Sequence, residues 1–359
     1  MSRTAYLPKG KEREFLQTLA ERYRVYAPCA EDGNLLFRNF SPDCEISFDR
    51  PAVSPPKAVI YPQHETLFTF AFKKEPDNPG TVNVELKEAA DFPATVIVGA
   101  RPCDARGFTV IDRVFKDSDI PDPYYRARRE ATSIVSITCP SPWPGCFCTA
   151  VDGGPDEKGD SDVMMTEMEK GYFLEPVTEK GEKLIDAPML EDGSPYREEA
   201  EKRQAEGRKA VEAQQAAKRL PQPDAERFHS PEFWEETVAR CVSCGACTYL
   251  CPTCYCFNIT DEERMDSGER VRSWDSCMSC HFTLEASGHN PRTRKTERFK
   301  NRVGHKFLYY PERYGGAIQC SGCGRCIRYC PVSMEISRIV TDLGAPEQKA
   351  GQGEEKPGA

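Results

Sequence analysis

Two segments of this chain repeat one cysteine spacing: Cys241-x2-Cys244-x2-Cys247-x3-Cys251-Pro252 and Cys320-x2-Cys323-x2-Cys326-x3-Cys330-Pro331. Thiolates two residues apart can take three corners of one iron–sulfur cube, while a fourth followed by proline turns away to ligate another. The spacing therefore predicts two 4Fe-4S clusters, one on Cys241, Cys244, Cys247 and Cys330, the other on Cys320, Cys323, Cys326 and Cys251. A pair of zinc knuckles is the competing reading. Zinc needs only four thiolates, commonly on two short arms, and this run supplies them more densely than that.

Eight of the eighteen cysteines are used in this way. Cys103 follows an expected strand in Gly99-Ala100-Arg101-Pro102-Cys103-Asp104, with Asp104 placed to cap the next helix. Cys139 follows the next expected strand, and Cys146-Phe147-Cys148 lies in the loop beyond it, so these four sulfurs can converge at one sheet edge. A third 4Fe-4S cluster, a zinc ion and unliganded thiols are all open there. Cys103 as a nucleophile is a minor case, because no histidine lies near it in sequence to act as base. Cys254, Cys256, Cys277 and Cys280 have a zinc-like spacing only if Cys251 joins them, so tuning of a nearby cluster is the better reading. Cys29 and Cys44 read as structural.

The elements that must position these thiols read as an α/β (mixed) N-terminal domain, residues 1–188, followed by a helical dicluster ferredoxin-like domain, residues 230–345. Phe15, Leu16, Leu19 and Tyr23 at helical spacing predict an amphipathic helix over residues 9–24. Runs rich in β-branched and aromatic residues predict strands at Ala58–Tyr61, Thr66–Phe72, Thr81–Leu86, Ala94–Gly99 and Ser133–Thr138, with a helix at Ala105–Phe115. Residues 189–229 read as a charged helical linker, and residues 346–359 as a disordered tail. About seventy residues separate the two cysteine motifs, which predicts an inserted helical segment.

Composition removes several function classes. With 39% hydrophobic and 29% charged residues the chain is ordinary for a folded protein, and no apolar stretch approaches a membrane span or a signal sequence, so a cytoplasmic location is expected. Cysteine at about 5% falls short of a disulfide scaffold, which favours metal ligation in a reducing compartment. A net charge of -9 disfavours general nucleic-acid binding. The basic run Arg292, Arg294, Lys295, Arg298, Lys300, Arg302 and Lys306 reads first as a solvated helix face, and beyond that as a docking face for an anionic redox partner. Val98-Gly99-Ala100-Arg101 lacks the later glycines of a dinucleotide fingerprint.

Several segments together resemble the family of sulfhydrogenase beta subunits and anaerobic sulfite reductase A subunits. They are Arg101-Pro102-Cys103-Asp104, Cys146-Phe147-Cys148, Cys251-Pro252-Thr253-Cys254-Tyr255-Cys256, Trp274-Asp275-Ser276-Cys277, Gly288-His289-Asn290-Pro291-Arg292, His305-Lys306-Phe307 and both cluster motifs. The resemblance implies a non-catalytic iron–sulfur subunit that relays electrons between a flavin-containing, NAD(P)-dependent reductase subunit and a catalytic subunit. Hydrogenase, sulfite reductase and heterodisulfide-reductase-type complexes are all open as its setting. Cys280 and the charged stretch 196–219 depart from the family pattern. The alternative is an iron–sulfur or zinc redox sensor that binds a partner or nucleic acid. A third reading is an enzyme binding flavin or substrate near Cys103.

Overall fold

The computed structural model describes residues 3–75, 77–78, 80–89, 91–214 and 219–344; the expected tail at 346–359 lies outside them. The strands are β1 (Ala5–Pro8), β2 (Arg24–Glu31), β3 (Asn34–Asn39), β4 (His64–Lys74), β5 (Val82–Glu88), β6 (Thr95–Ala100), β7 (Thr132–Ile137), β8 (Val163–Glu167), β9 (Gly171–Pro176), β10 (Glu191–Asp192), β11 (Phe257–Arg264) and β12 (Ser267–Trp274). They form an eight-stranded sheet ordered β10-β1-β9-β8-β7-β6-β2-β3 and a four-stranded sheet ordered β11-β12-β4-β5.

Strands β2, β6, β7 and β8 run parallel through the middle of the large sheet. Every residue of β6 and β7 is buried, as strands covered on both faces require. Side chains alternate between faces. Val96, Val98, Val135 and Ile137 pack with Phe15, Leu16 and Leu19 of the helix Glu12–Ala20. Ile97 and Ile134 meet Phe108, Ile111 and Tyr125 from the helices Pro102–Phe115 and Pro123–Ala131 on the other side. The C-terminal ends of β6 and β7 deliver Cys103 and Cys139, at the edge where parallel sheets hold their ligands.

Three expectations need correction. Ala58–Tyr61 is not a strand, since Lys57–Ile60 is one helical turn that packs into the second core layer. The segment between the cysteine motifs is not wholly helical, because residues 257–274 form the hairpin β11–β12, and β12 pairs with β4 of the N-terminal region. Met265, at φ 59°, turns the hairpin. Arg272 anchors its base as a buried guanidinium beside Glu65, at 2.5 Å, and Asp122. The two halves of the chain thus share a sheet.

Residues 189–229 do not behave as a linker either. β10 extends the large sheet beside β1, and the helix Arg197–Gln214 buries Ala200, Gln204, Gly207 and Val211 as one stripe. Gly207 has a reason to be glycine, because a Cβ there would meet the Cys139 carbonyl oxygen at 2.5 Å. The charged helix is a cover over the strand end that carries Cys139.

The strongest tie between the halves is a buried bidentate ion pair. Arg325 Nη1 and Nη2 donate to Asp104 Oδ1 and Oδ2 at 2.5 and 3.1 Å, and both residues are 1–2% exposed. Asp104 Oδ2 also accepts from the Arg101 backbone N–H, and Arg325 Nε donates to the Ala52 carbonyl. Removing one partner strands the other charge away from water, which costs about 3–5 kcal/mol. Arg325→Met is therefore expected to lower the melting temperature sharply, and adding Asp104→Asn to recover part of that loss; the comparison is made by thermal scans of both variants with the parent.

Candidate metal centres

The two cysteine motifs fold into matching loops. Gly245 and Gly324, each following the second cysteine of its motif, sit at φ 76° and 74°, a left-handed turn that starts the helical turns Ala246–Tyr249 and Arg325–Arg328. Each loop curls around a hollow. Cys241, Cys244, Cys247 and Cys330 line a cavity with Met278, Phe299 and Arg302. Cys251, Cys320, Cys323 and Cys326 line another with Arg302 and Lys306. The second hollow gathers three thiols of its own motif and the last cysteine of the other, and the first does the same with Cys326 added at its wall.

Cys103, Cys139, Cys146 and Cys148 meet around a third cavity with Arg101, Trp143 and Arg325. Their order of supply follows the sheet: Cys103 after β6, Cys139 after β7, and the other two from the connection to β8. The cavities are contiguous. Cys323 lines both the second and the third, and Cys326 and Arg302 line both the first and the second.

Polar groups around these hollows suit an anionic occupant. Arg302 Nε, Ser321 Oγ and Arg101 Nε are buried without a hydrogen-bond partner among protein atoms. Such groups are costly unless a ligand satisfies them. Each is attached to a residue lining a cavity or next to one: Arg302 at the first and second, Ser321 at the second, Arg101 at the third. Backbone N–H groups of Ser243, Gly322 and Met334 already point at Cys241, Cys320 and Cys330 sulfurs at 3.2–3.4 Å. Among the described residues no three His, Cys, Asp or Glu side chains close around a single metal ion. The thiols are instead spread around hollows.

Burial pushes most of these thiols up, Cys146 and Cys320 to about 11 and Cys148 and Cys326 to about 12. Cys251 goes the other way. The Cys254 thiol beside it, and then the Lys306 ammonium, hold it well below an ordinary thiol against the opposing effect of burial. Metal binding displaces protons from thiols, so cluster insertion and proton release are coupled at these sites.

The basic run expected to face solvent splits in two. Arg298, Arg302 and Lys306, four residues apart, are 8%, 3% and 2% exposed, and Arg302 and Lys306 line the cavities. Arg298 ties down the carbonyls of Met278, Arg292 and Thr293, and Arg302 Nη2 donates to the Cys247 carbonyl at 3.3 Å. Lys295 caps the carbonyls of Ala239 and Cys241. Of these cations, Arg302 and Lys306 are held in the charged form by the neighbouring cysteine sulfurs against the effect of burial. The four-residue spacing was the available signal, and it is hidden by the charged residues between.

Of the remaining thiols, Cys254 and Cys277 are buried, Cys256 is half-buried, and Cys280 is exposed beside His281. Lys57 is a buried ammonium over the Trp274 ring, donating to the Cys254 carbonyl. Cys29 and Cys44 are bonded to each other, with Cα atoms 5.7 Å apart.

Comparison with known proteins agrees with the sulfur pattern. Residues 240–334 match the 4Fe-4S dicluster domain family. Over 340 residues, 92% of this chain and 95% of the relative, the sequence is 29% identical to the sulfhydrogenase 2 subunit beta of Pyrococcus furiosus. No solved structure matches. The resemblance drawn from the motifs thus extends over nearly the whole chain, which carries a domain for two 4Fe-4S clusters. One-electron transfer is the chemistry of that pair.

The third cavity depends on a close backbone approach. A Cβ on Gly324 would meet the Gly145 carbonyl carbon and oxygen at 2.6 Å, and one on Gly322 would meet the Cys148 Cα at 2.5 Å. With backbone on both sides and φ positive at both glycines, neither can yield cheaply. Gly324→Ala is expected to push the loop 145–148 off the second motif, at a cost of about 1–3 kcal/mol. The measurement is alkylation of Cys146 and Cys148 in metal-free protein, expected to speed up severalfold while Cys280 is unchanged.

Proposed function

We propose that the chain is the iron–sulfur electron-transfer subunit of a multi-subunit oxidoreductase. It relays electrons between a flavin-containing, NAD(P)-dependent subunit and a catalytic subunit of hydrogenase, sulfite reductase or heterodisulfide-reductase type. The observation that carries this reading is the unbroken row of cysteine-lined cavities, each sharing a lining residue with the next. Cys241, Cys244, Cys247 and Cys330 would hold one 4Fe-4S cluster, and Cys320, Cys323, Cys326 and Cys251 the other. Clusters supply the one-electron chemistry, and the residues around them hold, bury and electrically balance them.

The same reading gives Cys103, Cys139, Cys146 and Cys148 a third 4Fe-4S cluster. The orphaned Arg101 Nε lies beside their hollow, and Arg328 Nη2 approaches Cys146 Sγ at 3.8 Å. Four thiols spread around a hollow, with a fifth from the second motif at its wall, favour a cube over one zinc ion. The chain itself makes no bonds to substrate in this scheme.

Two further observations support an assembly. The relative carries the name of a subunit. On β5, Val82, Val84 and Leu86 project from one face at 49%, 54% and 66% exposure, an apolar row of the kind that partners cover. No helix among the described residues is long and apolar enough to cross a membrane. The reading puts the chain in the cytoplasm, where reducing conditions keep thiols available for iron. Against the redox-sensor alternative, three of the seven cations of the basic run are turned away from a nucleic-acid partner: Arg298, Arg302 and Lys306 are buried.

Metal analysis of anaerobically purified protein is the direct test. About twelve iron and twelve sulfide per chain are expected, about eight of each would remove the third cluster, and zinc without sulfide would sink the electron-transfer reading. Exchange of the last cysteines between motifs has its own signature. Cys330→Ser should alter the same paramagnetic signal as Cys244→Ser, and Cys251→Ser the same one as Cys323→Ser; the reverse pairing would overturn the ligand assignment.

A further inference from the structure

Lys306 stands at the first residue pair of a π-helical turn, His305–Tyr309, that continues the helix Lys295–Gly304. Such turns shift the side chains that follow them and often mark functional positions. Here the wider turn leaves the Lys306 carbonyl to accept from the Gln319 N–H at 3.0 Å. That bond holds the second cysteine motif, which begins at Cys320, directly against the lysine. The ammonium is 2% exposed and has three acceptors: Cys251 Sγ at 3.4 Å, Thr253 Oγ1 at 2.9 Å and the Gln319 carbonyl at 3.1 Å. Three donors meet three acceptors, so its orientation is set. Thr253 Oγ1 lies 3.1 Å from the same sulfur and 2.9 Å from the Gln319 carbonyl, and Gln319 Nε2 returns a bond to the Thr253 carbonyl.

No comparable contact exists at the first cavity among the described residues. The cations there, Arg302 and Lys295, donate to the peptide carbonyls of Cys247 and Cys241 and not to sulfur. The first cavity also has an exposed thiol, Cys244, whereas Cys251 and Cys320 of the second are buried. Reduction adds a negative charge to a cluster. Water can stabilise that charge near Cys244, but a buried site must supply its own counter-charge.

We propose that Lys306 is a tuning residue: through its contact with the Cys251 sulfur it raises the reduction potential of the cluster held by Cys251, Cys320, Cys323 and Cys326. This offsets the penalty of burial and keeps that cluster reducible by the same donors as its more exposed neighbour. The inference rests on the two-cluster reading above. It adds a role that ligation does not require, because a ligand sulfur needs no lysine to bind iron.

The test is a potentiometric titration followed by electron paramagnetic resonance on the full chain, with iron and sulfide counted in each sample. In Lys306→Met the signal that is sensitive to Cys323→Ser is expected to shift to lower potential by at least a tenfold change in the reduction equilibrium, about 59 mV for one electron. The signal sensitive to Cys244→Ser should stay in place, and Lys306→Arg, which keeps the charge, should stay near the parent value. Equal potentials in the Met, Arg and parent proteins at full iron content overturn the proposal. A uniform shift of both signals does the same. Failure of both Lys306→Met and Lys306→Gln to load this quartet, with Lys306→Arg loaded, also overturns it, in favour of a cation needed only for assembly. A parent protein with no iron–sulfur signals would instead overturn the underlying two-cluster reading, so the two failures are distinct.

Discussion

The buried pair of Arg325 and Asp104 is the constraint on which the arrangement of thiols depends. Arg325 opens the helical turn inside the second cysteine motif, and Asp104 sits in the first turn of the helix that follows β6. One interaction therefore locks the motif to the strand end that carries Cys103. A buried charge pair tolerates little displacement, since either ion alone would be stranded in a medium of low dielectric. Gly322 and Gly324 complete the contact by letting the loop 145–148 touch the motif backbone. Without that register Cys323 could not line two cavities at once.

Charge balance is the second organising principle. Twelve thiols around three contiguous hollows would concentrate negative charge when they ionise. The chain answers with buried cations from separate elements: Arg101 after β6, Arg302 and Lys306 on one helical face, and Arg325 in the second motif. Burial works against the charges of Arg302, Lys306 and Arg325, and the neighbouring sulfurs or the Asp104 carboxylate outweigh it. Cations and thiols thus require one another, which makes the region around the cavities a single electrostatic unit. The hydrophobic shell around it is shared as well, with Phe147 and Val151 of the N-terminal half packing beside Trp234, Phe299 and Ile336.

Local patterns were legible where chemistry or periodicity is confined to a short window. The expected strands at Thr66–Phe72, Thr81–Leu86, Ala94–Gly99 and Ser133–Thr138 overlap β4 to β7, and the helices on Phe15–Leu19 and Ala105–Phe115 are present. The hairpin β11–β12 escaped because its outer strand is charged and exposed along its whole length, so alternation is weak there. It is a strand because β12 can pair on both sides, with β4 as the partner some two hundred residues earlier. The helix Arg197–Gln214 looked like a linker because its buried stripe is made of Ala, Gln, Gly and Val among many charges. Small residues carry little hydropathy, yet they allow the close approach that the Cys139 carbonyl needs.

By itself the sequence determined the two cysteine motifs, because ligand spacing within a loop is a local property of the chain. It also placed Cys103 and Cys139 after strands, since strand ends follow from local composition. Only the tertiary structure decided that Cys103, Cys139, Cys146 and Cys148 surround one hollow, and that this hollow adjoins the second motif. It alone turned Arg298, Arg302 and Lys306 inward from a run that reads as a solvated face. The physical reason is the same in each case: the energy of a buried thiol or cation is set by groups distant in sequence, and spacing along the chain does not record which of them will be neighbours.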